Sequence, residues 1–309
     1  MPLSEIMLQR LEDWKQAAMQ LAPLLLGETP ERPLVDIRAD YNRELARNRP
    51  PAGIVSTAVD MGGVPGMLVT PDKARGGRVL FYIHGGGYIS GGPSGYLGIA
   101  GHYAQRLGAR VFLPDYRLAP DHPFPASLDD VVAAWRWLVA QEGGADNIVI
   151  SGDSAGGAMV VSSMVRARGL GLALPAGGVA ISPWANLEMT GVSYTTRDGI
   201  DPLCNREILL LMARCALGTT PADDPDASPV FADVRGLPPV MIQVGESEVM
   251  LSDAFQLAAH LAENQVRIAL EVWPEMFHVW PMFTDILPQA GQALDSATRF
   301  LDSLLPSPR

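Results

Sequence analysis

Apolar and polar positions change period twice along the chain. Residues 3–26 carry apolar side chains three or four apart and predict an amphipathic helix that stops near Pro23 or Gly27. A second helical stretch covers residues 35–47, and Arg49-Pro50-Pro51-Ala52-Gly53 breaks it. From Ile54 the period becomes that of strands. Residues 55–59 and 66–70 predict two strands joined at Gly62-Gly63, and residues 78–83 form a continuous apolar run, the pattern of a strand buried on both faces. Strands then alternate with helices: strands over 110–115, 147–151, 177–182, 239–244 and 267–273, helices over 127–141, 155–168, 252–263 and 289–304. Ser127 is the expected N-cap of its helix, with Asp129 and Asp130 in the first turn where the dipole favours them. Alternation of this kind predicts an α/β fold, a mostly parallel sheet with helices on both faces.

One interval breaks the rhythm. More than fifty residues separate Trp184 from Leu237; they hold Pro202, Pro221, Pro225 and Pro229 and a helical piece over 205–217. An insertion at the C-terminal edge of a parallel sheet lies where ligands bind. The expected organisation is therefore an N-terminal helical cap segment (1–50), a first catalytic part (51–184), a cap insertion (185–236) and a second catalytic part (237–309).

Composition narrows the function. The 309 residues suffice for a large core, and 48% hydrophobic against 18% charged residues describes a globular chain. A net charge of −11 with no basic run argues against nucleic acid as a partner. No run reaches the ~18 apolar residues that a membrane span needs. The N-terminal stretch carries Glu5, Arg10, Glu12, Asp13 and Lys15 instead of the unbroken apolar centre of a secretory signal, so the cytoplasm is the expected location. Cys204 and Cys215 make no disulfide framework and read as buried thiols; no metal-binding spacing occurs, and neither metal nor cofactor is expected. A homodimer through an edge strand or the last helix is left open.

The chemistry concentrates in Gly152-Asp153-Ser154-Ala155-Gly156. A strand, a glycine-flanked serine and a helix are the layout of a nucleophile elbow, which lifts the serine hydroxyl off the top of a sheet. The five residues alone would equally suit a small-residue helix start with Ser154 as N-cap. Upstream, His84-Gly85-Gly86-Gly87 follows a buried strand and leaves backbone N–H groups unobstructed by side chains. A phosphate cradle would need the Lys-Ser/Thr that is absent here. A glycine loop of this type paired with a downstream G-x-S-x-G points to acyl transfer by serine, which needs a base, a carboxylate to hold the base, and donors for the oxyanion.

Together, His84-Gly85-Gly86-Gly87, Asp115-Tyr116-Arg117-Leu118-Ala119-Pro120 with His122-Pro123-Phe124-Pro125-Ala126, and Gly152–Gly156 resemble the hormone-sensitive-lipase family of esterases (bacterial family IV). The resemblance spans roughly residues 79–279. It implies an α/β-hydrolase fold with a helical cap, carboxylic ester hydrolysis, and an oxyanion hole formed by the N–H groups of Gly86, Gly87 and Ala155. It also implies structural roles for His84 and for the segment 115–120, which would brace the loop and the floor of the site.

Chain order in this fold is serine, acid, histidine, which sets Asp115 aside. Of the five histidines only His260 and His278 follow Ser154. His260 lies inside a helix, whereas His278 follows a late strand within a segment similar to the family's, so His278 is the candidate base. The acid departs from the family's Asp-Pro-Leu-x-Asp: the chain reads Gly245-Glu246-Ser247-Glu248-Val249-Met250-Leu251-Ser252-Asp253. Alignment on the glycine puts Glu248 at the acid position, with Glu246 and Asp253 as competitors. Trp184, Met212, Trp280, Met282 and Phe283 are candidates for an apolar pocket or for core. The expectation is a carboxylesterase for short- to medium-chain esters; the alternatives are an amide, lactone or acetyl-ester hydrolase on the same machinery, a long-chain lipase, or a non-catalytic small-molecule receptor.

Overall fold

The computed structural model describes residues 3–306; residues 1, 2 and 307–309, at the ends of the first and last expected segments, lie outside the described residues. Eight strands form one sheet among the described residues: β1 (Ile54–Asp60), β2 (Pro65–Pro71), β3 (Val79–Ile83), β4 (Arg110–Pro114), β5 (Ile148–Asp153), β6 (Gly178–Ile181), β7 (Val240–Gly245) and β8 (Ile268–Trp273), in the order β1-β2-β4-β3-β5-β6-β7-β8. β1 and β2 form an antiparallel hairpin through Gly62-Gly63, and β2 runs antiparallel to β4. All other pairings are parallel. This is the α/β-hydrolase architecture.

Ten helices accompany the sheet among the described residues: α1 (Glu5–Met19), α2 (Ala22–Leu25), α3 (Leu34–Leu45), α4 (Leu97–Leu107), α5 (Ala126–Glu142), α6 (Ala155–Gly169), α7 (Ser193–Thr196), α8 (Arg206–Leu217), α9 (Leu251–Glu263) and α10 (Pro288–Asp302). Alternation along the buried strands sends side chains into two cores. Val79, Phe81 and Ile83 of β3 pack with α5, α6 and α9, while Leu80 and Tyr82 pack with α4 and α10. Every residue of β3, β5, β6 and β7 is buried, which explains why these strands read as continuous apolar runs.

Three expectations need correction. The single helix over 3–26 is two: Pro23 sits in the first turn of α2, where its missing N–H costs nothing, instead of ending α1. Ser127 is not a cap: Pro125 holds the N-cap position of α5, Ser127 lies buried at the second helical position, and Asp130 pairs with Arg117 at 2.8 Å. Cys204 and Cys215, expected to be buried, are half-buried free thiols. A further element, α4, is not announced by the sequence pattern. Its Gly98 and Gly101 lower helix propensity, yet packing requires them: a Cβ on Gly98 would collide with Asn48 O, and one on Gly101 would sit 2.6 Å from Pro50 Cβ.

Candidate active site

The C-terminal ends of the parallel strands β3, β5, β7 and β8 all open on one place. β5 ends at Asp153, and Ser154 turns the chain into α6 with φ 55° and ψ −121°. A non-glycine residue there costs on the order of 1–3 kcal/mol and persists only where the surroundings over-determine it. Here Ser154 N donates to Ile181 O at 2.9 Å, and Ser154 O accepts from Trp184 N at 3.1 Å. The flanking glycines are required sterically: a Cβ on Gly156 would run into Ile83 O, and one on Gly152 would lie 2.5 Å from Gly156 O. Ser154 makes no side-chain cap bond, so its hydroxyl is not spent on the helix.

The loop after β3 approaches the same point. Gly86 and Gly87 have φ 109° and 61° and line a cavity together with Ser154. Ala155, the first residue of α6, carries an N–H that lies outside the helix ladder. Buried Asp153 anchors the loop by accepting from Gly85 N (3.1 Å), Tyr82 Oη (2.9 Å) and Tyr96 Oη (3.3 Å). Burial pushes Asp153 up to about 6, and these hydrogen bonds together with the charge of His278 pull the other way. His84 stacks on Tyr116 (4.1 Å between centroids, 11° between planes) and donates through Nδ1 to Gly85 O at 2.7 Å. Burial drops His84 to about 4, which keeps it neutral. Tyr116 Oη donates to His84 O at 2.7 Å. The bracing expected of segment 115–120 is thus carried by Tyr116, while Asp115, which directly follows the buried end of β4, is exposed.

The loops after β7 and β8 bring the remaining candidates together. His278 Nε2 lies 2.9 Å from Ser154 Oγ, and His278 Nδ1 lies 2.9 Å from Glu248 Oε2. Glu248 Oε1 accepts from Ser182 Oγ (2.7 Å) and Gly245 N (2.6 Å), so both carboxylate oxygens are engaged. Ser182 Oγ accepts in turn from Val279 N at 3.1 Å, tying the acid loop to the histidine loop. Burial lowers the pKa of His278, but the hydrogen bond and charge of Glu248, and then the charges of Asp201 and Asp153, outweigh it and leave it raised. The competing acids are occupied elsewhere. Asp253 Oδ2 accepts from Ala185 N, Asn186 N and Tyr194 Oη at 3.1, 3.0 and 2.9 Å, and Glu246 takes the Glu275 N–H. His260 bonds Ala232 O at 2.7 Å, away from the serine.

Above this row lies a cavity of about 510 Å³ with mostly apolar walls. Its far side comes from α1 and α2 and from residues 199–212, and α2 packs against α8. Trp184 and Met212 line it; Trp280, Met282 and Phe283 belong to the core beneath. The Met212 Cε methyl fills the space that a Cβ on Gly87 would take. No cluster of ligands that would hold a metal occurs among the described residues, and no described helix is long and apolar enough to cross a membrane.

A family model for the alpha/beta hydrolase fold matches residues 80–282. An acetyl-hydrolase of Streptomyces hygroscopicus is 38% identical over 252 residues, 82% of this chain and 83% of that protein. The crystal structure of an esterase from the bacterial hormone-sensitive lipase family superposes with a TM-score of 0.88 at 38% identity, covering 99% of this chain and 100% of that one. The chain belongs to the hormone-sensitive-lipase family of α/β-hydrolases. A mutant of the esterase E40 is similarly close, with a TM-score of 0.90 and 37% identity over 99% of this chain and 100% of that one. The chain is accordingly a serine ester hydrolase.

Two residues that shape this esterase's site carry little or no signal in the sequence. Ser182 is one: it directly follows β6 with φ 47°, and its hydroxyl sits between Glu248 and Val279. Arg38 of α3 is another, donating to Ile89 O (2.9 Å), Ala119 O (2.7 Å) and Asp121 Oδ2 (2.7 Å) and so pinning the segment after the glycine loop. The available signal for Ser182 was its place at the C-terminal end of a buried strand. Arg38 offered none, since it lies among other charged residues of an amphipathic helix.

Proposed function

We propose that this family member is a carboxylesterase acting on short- to medium-chain esters through a Ser154–His278–Glu248 triad and an acyl-enzyme. One observation carries the reading: Glu248, His278 and Ser154 form an unbroken hydrogen-bonded row, 2.9 Å at each step, whose serine and histidine line the cavity. His278 Nε2 takes the proton of Ser154 Oγ as that oxygen attacks the ester carbonyl. Glu248 holds the Nδ1–H tautomer and stabilises the imidazolium. The carbonyl oxygen becomes an oxyanion that receives the N–H groups of Gly86, Gly87 and Ala155, whose positions are fixed before charge develops. His278 returns the proton to the leaving alkoxide, giving the alcohol and an acyl group on Ser154. Water then repeats the sequence, releasing the acid and restoring Ser154.

The covering helices act as a cap in this reading. The placement of Met212 against Gly87 supports a preference for small acyl groups, as does the similarity to an acetyl-hydrolase. Ser154→Ala is expected to lower kcat for p-nitrophenyl butyrate by at least about 10³-fold, in line with triad deletions. Wild-type turnover by that variant would overturn the assignment.

A further inference from the structure

Asp201 is a buried acid, 7% exposed, on the insertion between β6 and β7, and the row just described does not use it. Its Oδ1 accepts from Leu203 N (3.0 Å) and Cys204 N (3.2 Å), closing its own turn. Its Oδ2 reaches across to Val249 N at 3.2 Å, the peptide that directly follows Glu248. A proline at 249 would have no N–H to offer; valine does, and buried it needs an acceptor. The other end of the same residue is held from the same insertion: Ser193 Oγ donates to Val249 O at 2.5 Å and accepts from Ser252 N at 2.9 Å, while Ser252 Oγ accepts from Ser193 N at 3.0 Å. The insertion therefore grips Val249 at both its N–H and its C=O.

We propose that Asp201 is a positioning residue for Glu248, fastening the acid loop to the insertion and setting a carboxylate on the wall of the cavity that His278 also lines. The inference rests on the triad reading of the preceding subsection. A carboxylate suits the place because it presents acceptors on both sides, to its own turn and to Val249. An asparagine has one acceptor oxygen and would turn its NH₂ toward one of those donors. Burying a carboxylate is costly, and a turn needing only Oδ1 would be served as well at the surface. The acids whose charge acts on His278 are Glu248 from the loop after β7, Asp201 from the insertion and Asp153 from the end of β5, and the Cys204 thiol is pushed up by burial and then by the charges of Asp201 and Glu248. Burial pulls His278 down, and these three carboxylates raise it, Asp201 after Glu248; Asp201, itself pushed up to about 6 by burial, carries its charge above that pH.

The test compares kcat, KM and the acid limb of kcat/KM for p-nitrophenyl acetate in Asp201→Asn, Asp201→Glu and Ser193→Ala, with thermal melts to confirm folding. Asp201→Asn is expected to lower kcat about tenfold with KM within about twofold, and to move the acid limb to lower pH. Asp201→Glu, which keeps the charge, is expected to restore the limb. Ser193→Ala, which loosens Val249 without removing charge, is expected to lower kcat a few-fold and leave the limb in place. The proposal is overturned if Asp201→Asn keeps the wild-type kcat and limb, or if its loss lies in KM alone. A limb that moves equally in Ser193→Ala would refute the charge effect. Should the Asp201 variants fail to fold, unchanged kcat in Ser193→Ala overturns the clamp. Ser154→Ala and Glu248→Ala assayed alongside separate the two readings, because activity in either would mean that the triad itself is wrong.

Discussion

Two buried carboxylates stand five residues apart, one on the loop after β7 and one in the first turn of α9, and both are 0% exposed. Their surroundings differ in a way that burial alone hides. Glu248 uses both oxygens, Oε1 toward Ser182 and Gly245 and Oε2 toward His278. Asp253 uses one: three donors converge on Oδ2, and Oδ1 has no hydrogen-bond partner among the described residues. Burial pushes Asp253 up to about 8, against the pull of those three hydrogen bonds. One acid is wired to an imidazole; the other fastens the start of the insertion to the body of the fold. A buried acid near a serine is therefore not assigned by proximity in sequence but by which of its oxygens are engaged and by what.

The sharpest way to break this contrast is to give both sites an amide. Glu248→Gln must turn its NH₂ toward either His278 or the Ser182–Gly245 donors, and it is expected to lower kcat by about 10³-fold or more, as wrong-tautomer variants of such triads do. Asp253→Asn keeps an oxygen for all three donors and is expected to retain kcat within about twofold, since no partner of the lost oxygen is stranded. Steady-state kinetics of the two purified variants decides; equal losses would mean that both acids serve the histidine.

A smaller effect sharpens the electrostatic side. In the proposed mechanism His278 is the base and must be neutral to accept a proton, so its raised pKa places the acid limb of kcat/KM above the ordinary histidine value of 6.5, with activity lost as pH falls through it. Removing the charge of Glu248 should move whatever limb remains to lower pH. A wild-type limb below 6.5 in a pH–rate profile would contradict the contribution assigned to the surrounding carboxylates.

The smallest expected effect concerns the covering side of the cavity. Met212→Ala opens the space above Gly87, and the ratio of kcat/KM for hexanoate over acetate p-nitrophenyl esters is expected to rise about three- to tenfold, the scale of a methylene or two in an apolar pocket. An unchanged ratio would move the determinant of acyl length away from α8.

Much of the site was legible because its requirements are local. The glycines around Ser154 and in the loop after β3 are demanded by contacts with the adjacent strand, helix and loop, so they leave a short-range signature. His278 could be reached by chain order among only two candidates. The acid was harder: Glu246, Glu248 and Asp253 are all carboxylates near one strand end, and nothing in their sequence spacing tells which oxygen faces the imidazole. Chain order had already set Asp115 aside as the acid; within the segment expected to brace the loop, Asp115 is exposed and its neighbour Tyr116 holds the loop.

What the sequence by itself determined is the alternation that commits the chain to a parallel α/β sheet, and the two glycine-bearing turns that no other residues would permit. What only the tertiary structure decided is the long-range wiring: Ser182 behind Glu248, Asp201 against Val249, Arg38 on the segment after the glycine loop, and Met212 over Gly87. The physical reason is range. A turn's steric demand falls on its own few residues, whereas a buried carboxylate or N–H takes its partner from whichever strand end or covering helix the fold brings within about 3 Å.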